Sequence, residues 1–438
     1  MVNVIIEVSK YLLILFMALY TYWNFSYFRF HDSWEQNRIC GKQNAVMFLL
    51  HLLAYVVLYL KSADERVVLF YFAQVVFFAV YIGMYRFFYS NRSGILVNNM
   101  CMLLCVGFII LTRLSFEKAV RQFIIVAVAA LITWVIPFIM DRAWQLAEIP
   151  WFYGTAGLLV LLLVWIVGNN SFGAQLSISF GGISFQPSEF VKITFVFFVA
   201  AMFYRSIDFK SVATVTAVAA GHVLILVLSK DLGSALIFFL TYLTMLFVAT
   251  GSWIYLGTGL LGGCGASAIA YALFSHVRVR VAAWKNPWAD IDNRGYQITQ
   301  SLFAIGTGGW FGMGLYQGMP YKIPVVEKDF AFAAISEELG GIFAVCVLLI
   351  CLGCFLQFMM IAGRMQAMFY KLIAFGLAMV YGIQVFLTVG GVTKFIPSTG
   401  VTLPFVSYGG SSILSTFILF GVIQGLYILK KNDEVDYE

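Results

Sequence analysis

The sequence predicts an all-α polytopic membrane protein, and three observations carry that prediction. Of its 438 residues, 62% are hydrophobic and only 11% are charged, against about 25% charged in a soluble domain. The mean hydropathy is +0.90, more apolar surface than a soluble fold can cover. Its apolar residues come in long runs with no ten-residue alternation of barrel strands, so backbone polar groups must be satisfied within each segment, and helices are the solution left.

The first run, 9 to 28, has no basic segment before it and no small-residue cleavage site after it, so it is expected to stay as a span. Three runs follow at 44 to 61, 67 to 88 and 94 to 112, then three at 121 to 140, 149 to 168 and 188 to 204. The series continues at 211 to 228, 232 to 250 and 253 to 275, and ends with 333 to 361, 370 to 391 and 405 to 429. A span takes about 20 apolar residues, so the chain should cross a membrane about thirteen times. Between 276 and 332 lies one long hydrophilic insert, rich in charge, Pro and Trp. Its apolar content argues against disorder, and a loop of this length is commonly functional. Within it, Ile298, Leu302 and Ile305 form a stripe opposite Gln297, Gln300 and Ser301, as suits a short helix lying among headgroups.

The net charge of +6 reads as basic loops facing anionic headgroups, not as a nucleic-acid partner. Basic residues divide between alternate loops in a way that depends on whether the long loop is counted, so charge alone leaves the orientation open. Cys351 and Cys354 lie in an apolar run and read as small core residues, and the four histidines have no metal-ligand spacing. No G-x-G-x-x-G follows a strand, which argues against nucleotide binding.

Ionisable residues within or beside spans need a reason, and four clusters qualify. Gln186, Pro187, Ser188 and Glu189 precede Lys192 by one turn; the pattern fits a helix cap or a binding site. Lys230 and Asp231 open a second helix, where Gly233 and Ala235 would admit a close neighbour. In the long loop, Asn286, Pro287, Trp288, Ala289 and Asp290 set a carboxylate beside an aromatic and a proline, with Arg280 upstream. Partial burial there would fit Asp290 to take a proton from a hydroxyl; the alternative is a solvated acid paired with Arg280 or Arg294. The fourth cluster runs from Pro397 through Gly400 and from Pro404 through Ser407, Tyr408, Gly409, Gly410, Ser411 and Ser412. Its Gly and Ser residues would offer backbone N–H groups to an anion, or simply start a helix.

Together with Asp329 through Gly340, and in this order, these segments resemble the SEDS family (shape, elongation, division and sporulation), which includes RodA, FtsW and SpoVE. The resemblance covers about 94 to 429, a ten-helix core, with about three extra helices in 1 to 93 and a tail at 430 to 438. It implies a polymerase that joins lipid II units into glycan strands at the outer face of the bacterial cytoplasmic membrane. Undecaprenyl diphosphate would be released with inversion, and a class B penicillin-binding protein would be the partner. The family's essential aspartate maps to Asp290, the long loop to the outside and the C-terminus to the cytoplasm. Substrate contacts are expected from Arg280, Trp288, Gln297, Gln300, Glu189, Lys192, Asp329, Lys394, Ser407, Gly409, Gly410 and Ser411.

One protein base suffices for such a transfer, because diphosphate leaves with little protonation, whereas a glycosidase expelling an alkoxide needs a second carboxyl. The leaving group instead needs positive charge, from Arg280, Lys394 or Lys192 or from a divalent cation such as Mg or Mn; no organic cofactor is expected. Polyprenyl tails would lie in grooves between helices. The chain departs from the family pattern at Leu176 and Ser177, where a basic-aromatic pair is usual, at Ser229 and Lys230, at Ile291, at Ser336, and at Glu327 and Lys328. These changes mark a divergent branch. Two other readings remain: a transporter flipping the lipid-linked precursor, whose charges would line a midplane cavity, and an inactive scaffold for division or sporulation machinery, which would tolerate loss of Asp290.

Overall fold

A computed structural model describes residues 2–30, 32–140, 143–171, 174–180 and 183–436. Seventeen helices occur in it: α1 (Val2–Ser26), α2 (Ser33–Ser62), α3 (Glu65–Phe88), α4 (Gly94–Leu114), α5 (Phe116–Thr133), α6 (Ile136–Met140), α7 (Pro150–Val167), α8 (Ser188–Arg205) and α9 (Phe209–Leu228) come first. Then come α10 (Leu232–Thr250), α11 (Trp253–Leu273), α12 (Ser275–Lys285), α13 (Tyr296–Gly308), α14 (Ala331–Leu339), α15 (Gly341–Arg364), α16 (Met368–Val392) and α17 (Gly410–Asp436). Twelve helical segments among the described residues are long and apolar enough to cross a membrane, with α5 and α6 counted as one. The thirteenth expected span is α8, which is just as helical but carries Glu189, Lys192 and Arg205 in 18 residues. The protein is a polytopic helical membrane protein.

Three expected runs are interrupted, each for a local reason. Pro137 lacks the N–H that would reach the Thr133 carbonyl, so 121 to 140 breaks into α5 and α6. Gly340 adopts φ +93°, and a Cβ there would stand 2.4 Å from the Gly312 amide nitrogen, so 333 to 361 divides into α14 and α15 where the 308–314 strap crosses it. The last helix begins only at Gly410, because the chain before it is tied back by the Tyr408 amide donating to the Glu327 carbonyl at 2.7 Å. Between α7 and α8 lies a small antiparallel meander, β1 (Asn169–Ser171), β2 (Ala174–Phe180) and β3 (Ile183–Phe185), with Asn169 paired to Ser177 and Ile178 to Phe185.

At the centre is α4, 94% of whose span is buried, packed by α2, α3, α5, α14 and α15. Its polar side chains are met by the N-terminal helices. Asn99 donates to Asn24 Oδ1 at 2.7 Å and accepts from Tyr20 Oη at 3.1 Å. Asn98 donates to the Cys40 carbonyl at 2.9 Å and to Gln43 Oε1 at 3.1 Å. The hydroxyls of Thr112 and Tyr55 lie 2.9 Å apart. Beyond α4, the helix α16 joins α8, α10 and α15, while α11 lies at the periphery and buries no residue. A Cβ on Gly314 would lie 3.1 Å from Ile6 Cγ2, so the start of α1 sits at the end of the bundle that carries the long loop. The C-terminal ends of α15 and α17 therefore lie at the opposite end.

Candidate active site

The site is assembled from helix starts. Glu189 stands in the first turn of α8, where the helix dipole favours a carboxylate, and Lys192 Nζ lies 2.7 Å from its Oε2. Ser415 Oγ on α17 donates to the same oxygen at 2.8 Å, and Lys192 donates to Gln384 Oε1 on α16 at 2.8 Å. Gln384 in turn donates to the Thr402 carbonyl at 3.0 Å, and Thr388 Oγ1 to the Val401 carbonyl at 3.0 Å. This buried network joins three spans to the loop before α17. Lys192 is 4% exposed and its charge is met inside the protein.

Asp231 caps α10, accepting the Ser234 amide at 3.1 Å, Ser188 Oγ at 3.3 Å and Gln186 Nε2 at 3.4 Å. Burial raises its pKa above the ordinary value against the lowering effect of the Ser234 and Ser188 bonds, and the nearby Glu189 adds to the rise. A Cβ on Gly233 would meet Thr399 O at 3.0 Å and Val401 Cγ2 at 2.4 Å, so the 399–401 turn rests directly on this helix start. Gln186 fastens the other side, its amide donating to Ser411 Oγ at 2.9 Å.

Against that turn lies Arg280 of α12, whose Nη1 donates to the carbonyls of Thr399 at 3.1 Å and Ser398 at 3.3 Å. Among the described residues no carboxylate reaches it at ion-pair distance. Burial lowers its pKa, opposed by the charges of Asp231 and Asp329. Asp329 Oδ2 is 3.9 Å from where a Cβ on Gly400 would stand. Its carboxyl is pushed up to about 6 by burial, against its own backbone hydrogen bond and the cations Lys328 and Arg280. Lys394 takes φ +60° and its carbonyl accepts Trp284 Nε1 at 3.2 Å; its ammonium has no ion-pair partner among the described residues.

Asp290 closes a 3-10 turn, Pro287–Asp290, between α12 and α13. The Gly295 amide donates to its carbonyl at 2.8 Å, and a Cβ on Gly295 would lie 2.0 Å from the Pro287 carbonyl, so only glycine closes this turn. Asn293 Nδ2 donates to Asp290 Oδ1 at 3.0 Å, and Arg294 Nε lies 4.0 Å from Oδ2. The side chain is 43% exposed: of the two cations weighed as partners it faces Arg294, and it is open to solvent instead of desolvated, because the 291–294 chain beyond it is itself exposed. Trp288 is 47% exposed, its ring 5.6 Å from that of Phe303. Gln297 donates to the Pro324 carbonyl at 2.9 Å, and Gln300 is half-buried. Ser301, expected on the outer face of α13, is instead buried and donates to the Val392 carbonyl at 2.9 Å, which turns the helix into α14 and α16.

Thus Gln186 to Lys192, Asp231, Arg280, Asp329 and the 397–412 segment meet at one end of the bundle. Asp290 and Trp288 stand on the rim, bonded to none of them. The anion nest expected from Ser407 and Gly409 is corrected: Ser407 Oγ accepts the Leu403 amide at 3.0 Å, and the Gly409 amide donates to Gln122 Oε1 at 3.3 Å. Only Gly410 and Ser411 lie in the first turn of α17, where amides have no intrahelical acceptor. Gln122, Gln384 and Gly295 were missed by sequence reasoning; an amide inside an apolar run was the available signal for the first two. No group of three or more His, Cys, Asp or Glu among the described residues is placed to hold a metal, and Asp231 already accepts three donors, so these side chains alone do not form an ion cage.

Residues 95–432 match the family model of FtsW, RodA and SpoVE, described as cell cycle proteins. The peptidoglycan glycosyltransferase RodA of Mycobacterium tuberculosis (strain H37Rv) is 36% identical over 313 residues, and the match spans 66% of each chain. The probable peptidoglycan glycosyltransferase FtsW of Geobacter sp. (strain M18) is 31% identical, over 64% of this chain and 79% of its own. Stage V sporulation protein E of Bacillus subtilis (strain 168) is 35% identical, over 61% and 75%. Among solved structures, the rod shape determining protein RodA of Thermus thermophilus has the same fold, with a TM-score of 0.58 at 24% identity over 77% of this chain and 96% of its own. A chain of a peptidoglycan synthase complex gives 0.67 at 24% identity over 78% and 98%. On the motifs that converge here and on a model match running from α4 to α17, the chain belongs to the FtsW, RodA and SpoVE family, the SEDS family.

Proposed function

We propose that the chain is a peptidoglycan glycosyltransferase that polymerises lipid II, with Asp290 as its base. The observation that carries the reading is Arg280: a half-buried guanidinium with no carboxylate at ion-pair distance among the described residues, on the helix leading to the Asp290 turn. Arg280 lies five positions before Lys285, roughly 7.5 Å of helix rise, with the Pro287–Asp290 turn beyond it, so base and cation line one stretch of the loop without forming an ion pair. The acceptor 4-hydroxyl attacks the anomeric carbon of the donor and gives its proton to the Asp290 carboxylate. The bond to phosphate breaks on the opposite face, and the charge on departing undecaprenyl diphosphate is met by Arg280, with Lys394 as a second cation on the loop that follows α16. Trp288 offers a face to a sugar ring. Glu189 and Lys192 hold the frame, while the Ser398 and Thr399 carbonyls hold Arg280 and Asp329 adds a negative charge beyond ion-pair distance. A divalent cation, Mg or Mn, would have to be held largely by diphosphate oxygens, as Mg usually is, and no step here depends on one.

The chain would lie in the bacterial cytoplasmic membrane with the 276 to 332 loop outside and Lys430 and Lys431 in the cytoplasm, working with a class B penicillin-binding protein. The transporter reading asks for charges lining a midplane cavity, whereas the interior pair Glu189–Lys192 is closed on itself and Arg280 lies at the end of the bundle. The test is a gel assay of purified protein on labelled lipid II, alone and with candidate transpeptidases. Asp290→Asn should abolish polymer, a drop of about 10²–10⁴-fold for a general base, with the folded yield unchanged. Polymer of normal length from that variant would end the role of Asp290 as base, and no polymer from the unsubstituted protein with any transpeptidase would leave the scaffold reading.

A further inference from the structure

Opposite the catalytic loop, the turn between α1 and α2 meets the last turns of α15 and α17 around a cavity of about 600 Å³, its open mouth included. Among the described residues, every charged side chain in its lining is a cation: Arg364, Lys430 and Lys431. Lys430 and Lys431 have partners within the protein, but Arg364 has neither ion pair nor hydrogen bond among the described residues and is exposed. Gln357, also in the lining, is 4% exposed. Its Nε2 donates to Ser93 Oγ at 3.2 Å, while its buried Oε1 has no partner, an acceptor that calls for a donor. Phe28, Phe30 and Ile361 supply apolar wall.

We infer that this cavity binds the headgroup of one anionic phospholipid of the phosphatidylglycerol type. Arg364 takes the phosphate, as a guanidinium fork suits it, and a headgroup hydroxyl donates to Gln357. The aromatic wall lies against the first carbons of the lipid at the depth where aromatic residues collect. Cations placed only to offset the dipoles of α15 and α17 would not leave a buried acceptor beside them. Phe28 and Phe30 come from the segment before the family match and Gln357 and Arg364 from within it, so the site forms where the extra helices meet the core, and it is independent of the catalytic reading.

The test is native mass spectrometry of the full-length protein in neutral detergent, offered phosphatidylglycerol, phosphatidylethanolamine, phosphatidic acid or inorganic phosphate. One phosphatidylglycerol should be retained about fivefold better than phosphatidylethanolamine, the scale of one added cation contact at a membrane surface. Arg364→Gln should erase that preference. Lys210→Gln, an exposed cation at the same end, should keep it. Gln357→Met should narrow the preference for phosphatidylglycerol over phosphatidic acid. Equal retention of the two lipids, an unchanged preference in Arg364→Gln, or displacement of the lipid by millimolar inorganic phosphate would each overturn the assignment.

Discussion

Replacing Lys192 by Met tests whether the Glu189–Lys192 pair is frame or substrate contact. The pair is 2.7 Å apart with side chains 4% and 11% exposed, so removing the ammonium leaves a carboxylate in low dielectric. Breaking one partner of such a pair costs about 3–5 kcal/mol, whereas replacing both costs far less. Ser415 still donates to Glu189 Oε2, which places the loss at the lower part of that range. Glu189→Gln with Lys192→Met should recover most of it, because a neutral amide can still accept from Ser415. The assay is a double-mutant cycle on thermal unfolding in detergent, run beside lipid II polymerisation. If Lys192→Met kept full stability but lost activity, and the double variant did not regain it, the lysine would be touching substrate and the framework argument would be wrong.

Arg280→Ala should lower the maximal rate by about 10²–10³-fold, the effect of removing one group that stabilises transition-state charge, with a smaller change in half-saturation; steady-state kinetics showing an unchanged maximal rate would remove it from the leaving-group role. Asp329 gives a pH test: an acid raised from 3.8 to about 6 by burial holds its proton longer folded than unfolded. Stability should therefore fall as pH rises across that window and level off above it. Asp329→Asn should flatten the slope in melts at pH 4, 5, 6 and 7. Deleting residues 1 to 90 should destabilise the remainder, since Asn98 and Asn99 would lose their partners to lipid at about 1–3 kcal/mol for each unsatisfied group; a deletion product as heat-stable in detergent as the full chain would show that α4 needs no cover.

The spans were legible because an apolar run of about 20 residues has one stable form in a bilayer, and α8 was legible although its three charges weaken its signal. What composition could not carry was local backbone chemistry. The alternation of Ala174, Gln175, Leu176, Ser177, Ile178, Ser179 and Phe180 is a strand pattern, yet it lies between two long helical runs that dominate any window. The break at Gly340 depends on the 308–314 strap crossing it, a long-range contact that no local pattern encodes. At the site, helix starts marked by Glu189 and Asp231 were readable as ionisable residues in costly places. Their convergence with Arg280 was readable only through the family resemblance, because it is made by Gln186, Thr402 and Ser411 from segments far apart in the chain. Residues 1 to 93, expected as about three extra helices, pack onto the core through Asn99, whose amide donates to Asn24 on α1.

Which charges are paired separates frame from function in this molecule. A charge kept from water without a partner is costly, so evolution of a stable bundle should leave none unless something else meets it. Glu189 with Lys192 on α8, and Glu338 with Arg113 at 2.8 Å, are pairs closed inside the protein: the first is tied to α16 and α17 through Gln384 and Ser415, and the second joins α14 to α4. Among the described residues, the half-buried Arg280 and Lys394 have no carboxylate at ion-pair distance at one end, and the exposed Arg364 has none at the other. These unpaired cations sit where helices end and headgroups begin, the one zone in which a phosphate can reach them without leaving the lipid that carries it. Asp290 fits the same rule from the opposite sign: with the Arg294 guanidinium at 4.0 Å and only a long bond from the Arg294 amide, 3.5 Å, on Oδ2, its carboxylate keeps acceptor capacity that a sugar hydroxyl can fill. A Lys or Arg introduced at Asn293 should then pair with Asp290 and inhibit polymerisation in the lipid II gel assay while leaving the melting curve in place. Undiminished activity in such a variant would mean that the proton goes elsewhere.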